Sequence, residues 1–277
     1  MKIYVNGCSH SKCHLDIKVV SWPLLIKLFF DKDTSIIDTE KDLLTKSVLK
    51  KNILTTYSKS KYVDDQFYRK NFLTFIEDKN DYLISEASDA KGNDSILYET
   101  MESLRYLKNS SKLPDLCIIQ WSGHSRNLIS PIIPEHSYLK IPNTYINEKK
   151  PEYFTNFRYC TPANEYCNNQ LPIEPAASLR SLNHMVILQD YLKLLKINYI
   201  FINYFPLDSR ISNLSLLKEL DLDRFVSFND LTDPLFKGWL DSIVSSNGKL
   251  NKDPQGHPNI NGMKLISSKV IKKYNET

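Results

Sequence analysis

Glycine is scarce in this chain, with only seven among 277 residues, at positions 7, 92, 123, 238, 248, 256 and 262. A sequence so sparing keeps glycine mainly where no side chain fits or where φ must be positive. Five of the seven (7, 92, 123, 256 and 262) fall in four segments, NGCSH, AKGNDSI, WSGHSR and QGHPNINGM. Ordinary strand-end turns are the alternative explanation, but such turns would also call for glycine after residues 204 and 228, where none follows. The glycines therefore mark four candidate site segments.

Long apolar runs and blocks of one charge are also missing. The most apolar tract, residues 24–30, is too short to cross a bilayer, so we expect no membrane as a partner. The net charge of +4 is spread over lysines interleaved with acidic residues, so we expect no nucleic acid as a partner either. Met1-Lys2 leads directly into a predicted strand, which argues against a signal peptide and favours a cytoplasmic protein.

The five cysteines are an odd number, so they cannot all pair with one another. Cys117 lies in a predicted buried strand, where a free thiol acts as a small hydrophobe, and we expect reduced thiols. A zinc site is an alternative use of the four soft ligands near the start of the chain, Cys8, His10, Cys13 and His14. Structural zinc sites combine two separated ligand pairs, however, so we predict no metal and no cofactor.

Apolar strands alternate with amphipathic helices along the chain. The predicted strands are Lys2–Asn6, Tyr82–Glu86, Leu116–Trp121, Tyr199–Tyr204 and Arg224–Phe228. The predicted helices are Trp22–Phe30, Ile36–Leu54, Ser95–Leu107, Ala176–Leu195, Leu214–Leu220, Leu231–Ser245 and Ile260–Tyr274. Continuous apolar strands alternating with helices indicate an α/β fold whose parallel sheet is covered on both faces. Sites in such sheets form outside the carboxyl ends of the strands.

Two stretches depart from this alternation. Residues 55–80 are polar and aromatic, which favours a helical excursion. Residues 127–175 are rich in proline, asparagine and tyrosine without a clear period, which favours a long ordered loop or lid. No repeat or linker divides the chain, so we predict a single domain over residues 1–277.

The two ends of the chain carry complementary chemistry. Ser9 follows the first predicted strand directly, while Asp253 and His257 lie in a loop before the last predicted helix. A serine after a strand often only caps the next helix, and a lone histidine is often a turn residue. Their combination in this chain order is typical of one hydrolase architecture.

These segments resemble the sequence blocks of SGNH hydrolases, the GDSL esterase and lipase superfamily, in their divergent phage and bacterial forms. Gly7-Cys8-Ser9-His10 resembles the first block of the family, and Gly92-Asn93-Asp94-Ser95-Ile96 resembles the second. The segment PDLCIIQWSGHSR, with Ser122 and Arg126, resembles the third block, and Gly256-His257-Pro258-Asn259 resembles the last. The resemblance spans the chain in the proper order, although each block is short. It implies a three-layer α/β/α, flavodoxin-like fold with a central parallel sheet.

The resemblance also implies roles. Ser9 would be the nucleophile, His257 the base that accepts its proton, and Asp253 the acid that orients His257. The oxyanion and substrate-binding groups would come from the backbone N–H groups of Ser9 and Gly92, from Asn93 or Ser122, and from Arg126. Arg126 instead pairs with an acidic residue in the alternative interpretation, and Cys8 is a packing residue or, as a minor alternative, the nucleophile.

Two departures from the family pattern leave alternatives open. Asp253 precedes His257 by four positions instead of two or three, so the acid is either Asp253, another residue or absent. The third block has Gly123-His124-Ser125-Arg126 where the family typically has G-x-N-D.

The leading hypothesis is a serine esterase that removes a small, acetyl-like acyl group from an oxygen ester of a small molecule or glycan. An O-acyltransferase using the same site and a catalytically silent binding or assembly protein are the alternatives. The sequence does not indicate an oligomeric state.

Overall fold

A five-stranded sheet forms the centre of the fold. The computed structural model describes residues 1–8, 21–30, 73–78, 81–87, 92–123, 174–228, 233–237, 240, 251 and 257–277. The strands are β1 (Lys2–Asn6), β2 (Leu73–Asp78), β3 (Asp81–Ser85), β4 (Leu116–Trp121) and β5 (Asn198–Asn203). They lie side by side in the order β2-β3-β1-β4-β5. Strands β3, β1, β4 and β5 are parallel, and β2 adds an antiparallel edge.

The strand order identifies where a site is expected. The parallel strands, counted along the chain, lie in the order second, first, third, fourth, and a single parallel bridge from Phe201 to Phe225 continues past β5. This is a doubly wound order whose direction reverses between β1 and β4. Ligands of such sheets bind in the crevice outside the carboxyl ends of the strands at that reversal. A ligand site is therefore expected beside the segments that follow Asn6 and Trp121.

Helices cover both faces of the sheet. Among the described residues they are α1 (Trp22–Phe30), α2 (Asn93–Asn109), α3 (Glu174–Leu194) and α4 (Ile260–Glu276). Alternate strand residues divide between two apolar cores, as the two-residue period of a strand requires. One core joins α2 and α3 to Tyr4, Cys117, Ile119, Trp121 and Phe201. The other joins α1 and α4 to Ile3, Val5, Ile118, Ile200 and Ile202. The fold is therefore α/β.

Helices α1 and α4 lie side by side and run in the same direction. The Ser267 hydroxyl donates to the carbonyl oxygen of Trp22 at 3.3 Å. Further along both helices, the rings of Phe30 and Tyr274 meet edge to face, with centroids 4.8 Å apart. The N-terminal ends of the two helices therefore lie at the same end of this layer.

The structure confirms most predicted elements within the described residues. Strands β1 and β4 and helix α1 have the predicted bounds, and β3, β5, α2, α3 and α4 differ from prediction by one or two residues at an end. The described residues contain no helix long and apolar enough to cross a membrane. The single-domain hypothesis stays a prediction.

Some predictions were wrong. Residues 73–78 form strand β2, so the predicted helical excursion over 55–80 does not hold there. The strand pairs antiparallel with β3 across a two-residue connection, and this pairing outweighs the helical preference of the segment. The predicted strand at Arg224–Phe228 is reduced to the bridge at Phe225, and the predicted helix at Leu214–Leu220 is a 3-10 helix, Ser215–Glu219.

Other predictions concern segments that lie outside the described residues. These are the helix Ile36–Leu54, the remainder of 55–80, most of Leu231–Ser245, and the loop 127–175 up to its last two residues, which belong to α3. Within Leu231–Ser245, residues 234–237 form a turn, so the predicted helix does not hold there.

Candidate functional site

A buried asparagine fixes the carboxyl end of β1, the point at which the chain leaves the sheet and which we call the exit of β1. The Asn6 side chain is inaccessible to solvent, and its Oδ1 accepts the backbone N–H of Gly7 at 2.8 Å. Its Nδ2 donates to Thr100 Oγ1 at 2.9 Å and to the carbonyl oxygen of Ile96 at 3.3 Å. Both partners belong to α2, so Asn6 ties the chain to that helix immediately before Cys8, the last described residue ahead of Ser9.

A buried carboxyl group lies next to the exit of β1. Glu86, 3% exposed and directly after β3, accepts hydrogen bonds from the hydroxyls of Tyr4 and Ser103. Burial and the nearby Glu86 raise the pKa of Tyr4 well above its usual value, so Tyr4 stays protonated and acts as a donor. The same two causes raise the pKa of Cys117, in the order burial, then Glu86. The arrangement orders this end of the sheet, and the raised pKa favours the protonated form of the Cys117 thiol.

A second buried asparagine joins the exit of β4 to two helices. Asn93 Oδ1 accepts the backbone N–H of Ser122 at 2.7 Å, and Asn93 Nδ2 donates to the Ser122 carbonyl oxygen at 3.2 Å. The Nδ2 group also donates to Ser181 Oγ on α3 at 2.9 Å. Both hydrogens of the amide are thus used within the protein. Gly92, also buried, is the N-cap residue of α2 and accepts the backbone N–H of Ile96 at 3.0 Å.

An aspartate–histidine pair lies next to this junction. Asp94, the residue after Asn93, places its Oδ1 3.2 Å from His184 Nε2 on α3, one turn beyond Ser181. Burial lowers the pKa of His184, Asp94 opposes this effect, and Arg180 adds to it. Burial therefore favours the neutral imidazole, whose Nε2 lies within hydrogen-bond distance of the Asp94 carboxylate.

The loop before α4 is closed by a backbone hydrogen bond. The N–H of Asn259 donates to the carbonyl oxygen of Asn251 at 2.9 Å, so the two ends of the segment that contains Asp253 lie together. Asn259 also caps α4, with its side chain accepting the N–H groups of Asn261 and Gly262 at 3.0 and 3.1 Å. His257 lies half-buried just before this cap.

The structure brings together part of the predicted site. Asn93 of the second block and Ser122 of the third block are in direct contact, with Gly92 beside them. His257 lies half-buried just before α4. Ser9, Arg126 and Asp253 lie outside the described residues, so their predicted roles stay predictions.

Of the four candidate zinc ligands near the start of the chain, Cys8 lies within the described residues. Its buried thiol accepts a hydrogen bond from Gln120 Nε2 at 3.4 Å. His10, Cys13 and His14 lie outside the described residues, and within the described part no group of three or more metal-ligating side chains comes together.

Sequence reasoning missed four polar residues at this edge of the sheet: Asn6, Glu86, Ser181 and His184. The sequence contained a signal for Asn6 and Glu86, because a polar residue at the end of a buried apolar strand requires a hydrogen-bond partner. It contained no such signal for Ser181 and His184, since their partners Asn93 and Asp94 lie about 90 residues away in the chain.

Comparison with known proteins adds no assignment, because neither a protein-family model nor a curated protein matches this chain.

Proposed function

We propose that this protein is a serine esterase of the SGNH hydrolase superfamily that removes a small, acetyl-like acyl group from an oxygen ester, preferably on a glycan. The proposal includes the three-layer α/β/α arrangement of that superfamily and a cytoplasmic location. It involves no metal, cofactor, nucleic acid or membrane. Cys8 and Cys117 are buried and form no disulfide bond, which agrees with a reducing compartment.

The contact between Asn93 and Ser122 is the observation that carries the proposal. The resemblance assigns these residues to one oxyanion and substrate-binding region, yet they are 29 residues apart in the chain. Their contact lies at the carboxyl end of β4, next to the exit of β1 that leads to Ser9. This is the reversal point at which doubly wound sheets bind ligands.

The position of α4 gives further support. In a doubly wound sheet, the helix that follows a strand begins near the carboxyl end of that strand. Helix α1 follows β1 in the chain, and α4 runs parallel to it. We therefore expect His257, just before α4, on the same edge of the sheet as Ser9.

The proposed reaction has two steps. Ser9 Oγ attacks the ester carbonyl carbon while His257 accepts the hydroxyl proton, and backbone N–H groups of Ser9 and Gly92 stabilise the oxyanion. His257 then returns the proton to the departing alcohol, which leaves an acyl group on Ser9. Water attacks this acyl-enzyme with His257 as base, which releases the carboxylic acid and restores Ser9.

The Asn93 amide also favours the rival hypothesis of a silent binding or assembly protein. Both of its hydrogens bond to protein atoms, so it would have to release the carbonyl oxygen of Ser122 or the hydroxyl of Ser181 to reach an oxyanion. A protein that retains these bonds permanently would have one oxyanion donor fewer than the resemblance implies.

Intact-mass measurement with a fluorophosphonate probe decides between the two. Wild type should gain one adduct, and Ser9→Ala and His257→Ala should gain none. Ser110→Ala is the matched control and should label like wild type, because Ser110 is exposed and its hydroxyl donates to the carbonyl oxygen of Tyr106 in the preceding helical turn. Folded wild type that gains no adduct would favour the silent protein.

Adding methyl glucoside to a turnover assay with p-nitrophenyl acetate separates the hydrolase from the transferase. A hydrolase yields acetic acid, whereas an acyltransferase yields the acetylated glucoside from the same acyl-enzyme.

A further inference from the structure

Exposed apolar side chains are concentrated on one layer of the fold. Single exposed leucines are common on any protein, but here the distribution is one-sided. Among the described residues, six large apolar or aromatic side chains are more than a third exposed, and they lie on α2, on α3 or in the segment 208–224: Tyr98, Leu179, Ile187, Leu194, Leu214 and Leu222. The described parts of α1 and α4, which cover the opposite face of the sheet, expose no such side chain. The layer of α2 and α3 is therefore the candidate for an interaction surface.

The segment 208–224 is fastened to α3 near both of its ends. The N–H of Asp208 donates to Ser178 Oγ at 3.0 Å. The Gln189 side chain donates to the carbonyl oxygen of Glu219 at 2.8 Å and accepts the N–H of Asp221 at 2.7 Å. The segment and α3 therefore belong to the same side of the molecule.

This segment forms an open cleft of about 710 Å³. Three leucines and three charged residues are among the groups that line it: Leu214, Leu217, Leu222, Lys218, Asp221 and Asp223. The two aspartates and one lysine give these charged groups a net negative charge, and Asp223 is the more exposed of the aspartates. The cleft therefore suits an apolar side chain with positive charge beside it.

The C-terminal end of α3 presents such a group. Leu194, the last residue of α3, is the most exposed large apolar side chain among the described residues, at 76%. Lys193 and Lys196 next to it are exposed as well. The chain thus carries both an apolar side chain flanked by lysines and a leucine-lined cleft with aspartates, which makes a second copy the complementary partner.

We propose that the protein forms a twofold-symmetric dimer in which Leu194 of each copy occupies the cleft of the other, with Lys196 facing Asp223. In a twofold interface, residue i contacts residue j and j contacts i, so one axis forms both contacts together. Gln189 joins the cleft to the helix that ends in Leu194, so both surfaces are on one side of each copy. An interface built on so few side chains is small, and we expect a dissociation constant in the micromolar range. This inference goes beyond the proposed esterase function and does not depend on it.

Sedimentation of the purified protein from about 1 μM to about 0.5 mM tests the dimer. Wild type should change from monomer to dimer as its concentration rises and should stop at the dimer. Leu194→Asp should raise the dissociation constant at least about tenfold, because it occurs twice in the interface and brings a carboxylate to a cleft that contains aspartates. Ser268→Asp places the same charge at an exposed position of α4 and should dimerise like wild type.

An exchange of charge tests which residues meet. Lys196→Glu and Asp223→Lys should each raise the dissociation constant roughly tenfold, because like charges then face each other at both contacts. An equal mixture of the two variants should form a heterodimer about as tight as the wild-type dimer, because both contacts again join opposite charges. Sedimentation velocity with a fluorescent label on one variant measures this. Lys272→Glu, at an exposed position of α4, is the control and should behave like wild type.

Four results would overturn the proposal. They are a wild type that is monomeric at about 0.5 mM, growth beyond the dimer, a dimer that persists unchanged in Leu194→Asp, and weakened variants that do not recover on mixing. Circular dichroism checks that each variant is folded, and Leu194→Ala provides a second variant if Leu194→Asp is not. Fluorophosphonate labelling plays no part in these measurements, so failure of the dimer and failure of the proposed esterase are distinguished.

Discussion

The side chain of Asn93 and the main chain of Ser122 bond to each other in both directions, at 2.7 and 3.2 Å. Ser122 is the first residue after β4, where strand pairing has ended. The Asn93 amide supplies the hydrogen-bond partners that a neighbouring strand would otherwise provide. Because Asn93 begins α2 and also bonds to Ser181 on α3, three elements meet at one buried amide. These bonds fasten the exit of β4 to α2 and α3.

Replacing Asn93 by alanine should destabilise the protein. Asn93→Ala leaves the backbone groups of Ser122 buried without these partners, and we expect a loss of about 1–3 kcal/mol in the free energy of unfolding. Urea denaturation followed by circular dichroism measures it. Asn183→Ala makes the same chemical change at an exposed position and should stay within about 0.5 kcal/mol of wild type. Equal stability of the two variants would contradict this role of Asn93.

Asn6 should matter for both stability and labelling. Asn6→Ala removes the acceptor of the Gly7 N–H and the donor to Thr100, and we expect a loss of about 1–3 kcal/mol. Because Gly7 lies two residues before Ser9, fluorophosphonate labelling should also slow at urea concentrations where the variant is fully folded. Asn198→Ala, at the exposed start of β5, is the matched control and should alter neither quantity. Labelling at the wild-type rate would show that the exit of β1 tolerates the loss.

Gly262 should not tolerate a side chain. A Cβ at this position would lie 2.6 Å from the backbone carbonyl oxygen of Asn251 and 3.0 Å from Pro258 Cβ. Alanine in a helix gains about 1 kcal/mol over glycine, but overpacking against a backbone atom costs about 1–3 kcal/mol and also strains the bond between Asn259 and Asn251. We expect a net loss of about 1 kcal/mol in Gly262→Ala, measured by urea denaturation.

Ser268→Ala is the control for this helix, because Ser268 is exposed and its hydroxyl donates to the carbonyl oxygen of Leu265 within the same helix. It should be neutral or slightly stabilising. A Gly262→Ala variant more stable than wild type would mean that the loop closed by Asn251 shifts without cost.

Cys117 should resist alkylation in the folded protein. Its side chain is fully buried, and burial followed by the charge of Glu86 raises the pKa of the thiol. The thiolate is the reactive form, so iodoacetamide in mildly alkaline buffer should leave Cys117 unmodified and should modify it in urea. Peptide mapping by mass spectrometry measures the difference. Glu86→Gln leaves the burial in place and should keep Cys117 protected; rapid native alkylation would contradict the described packing.

Local patterns were sufficient to predict the elements that are apolar and bounded by turn residues. Lys2–Asn6 and Leu116–Trp121 are short apolar runs that end at polar residues, and both form strands with the predicted bounds. The sequence predicts a helical excursion over Leu73–Asp78, but this segment forms a strand because it pairs with Asp81–Ser85. The residues of the segment alone indicate this strand only weakly, since strand preference depends on the strand with which a segment pairs.

The sequence by itself determined the α/β alternation, the apolar faces of the strands and helices, and the segments at which strands end. These properties follow from side-chain periodicity and from glycine placement, which act within a few residues along the chain. Only the tertiary structure decided the strand order, the contact of Asn93 with Ser122 and Ser181, and the pairing of Asp94 with His184. These contacts join residues roughly 30 to 90 positions apart, and they form because a buried polar group must find a partner wherever packing places one.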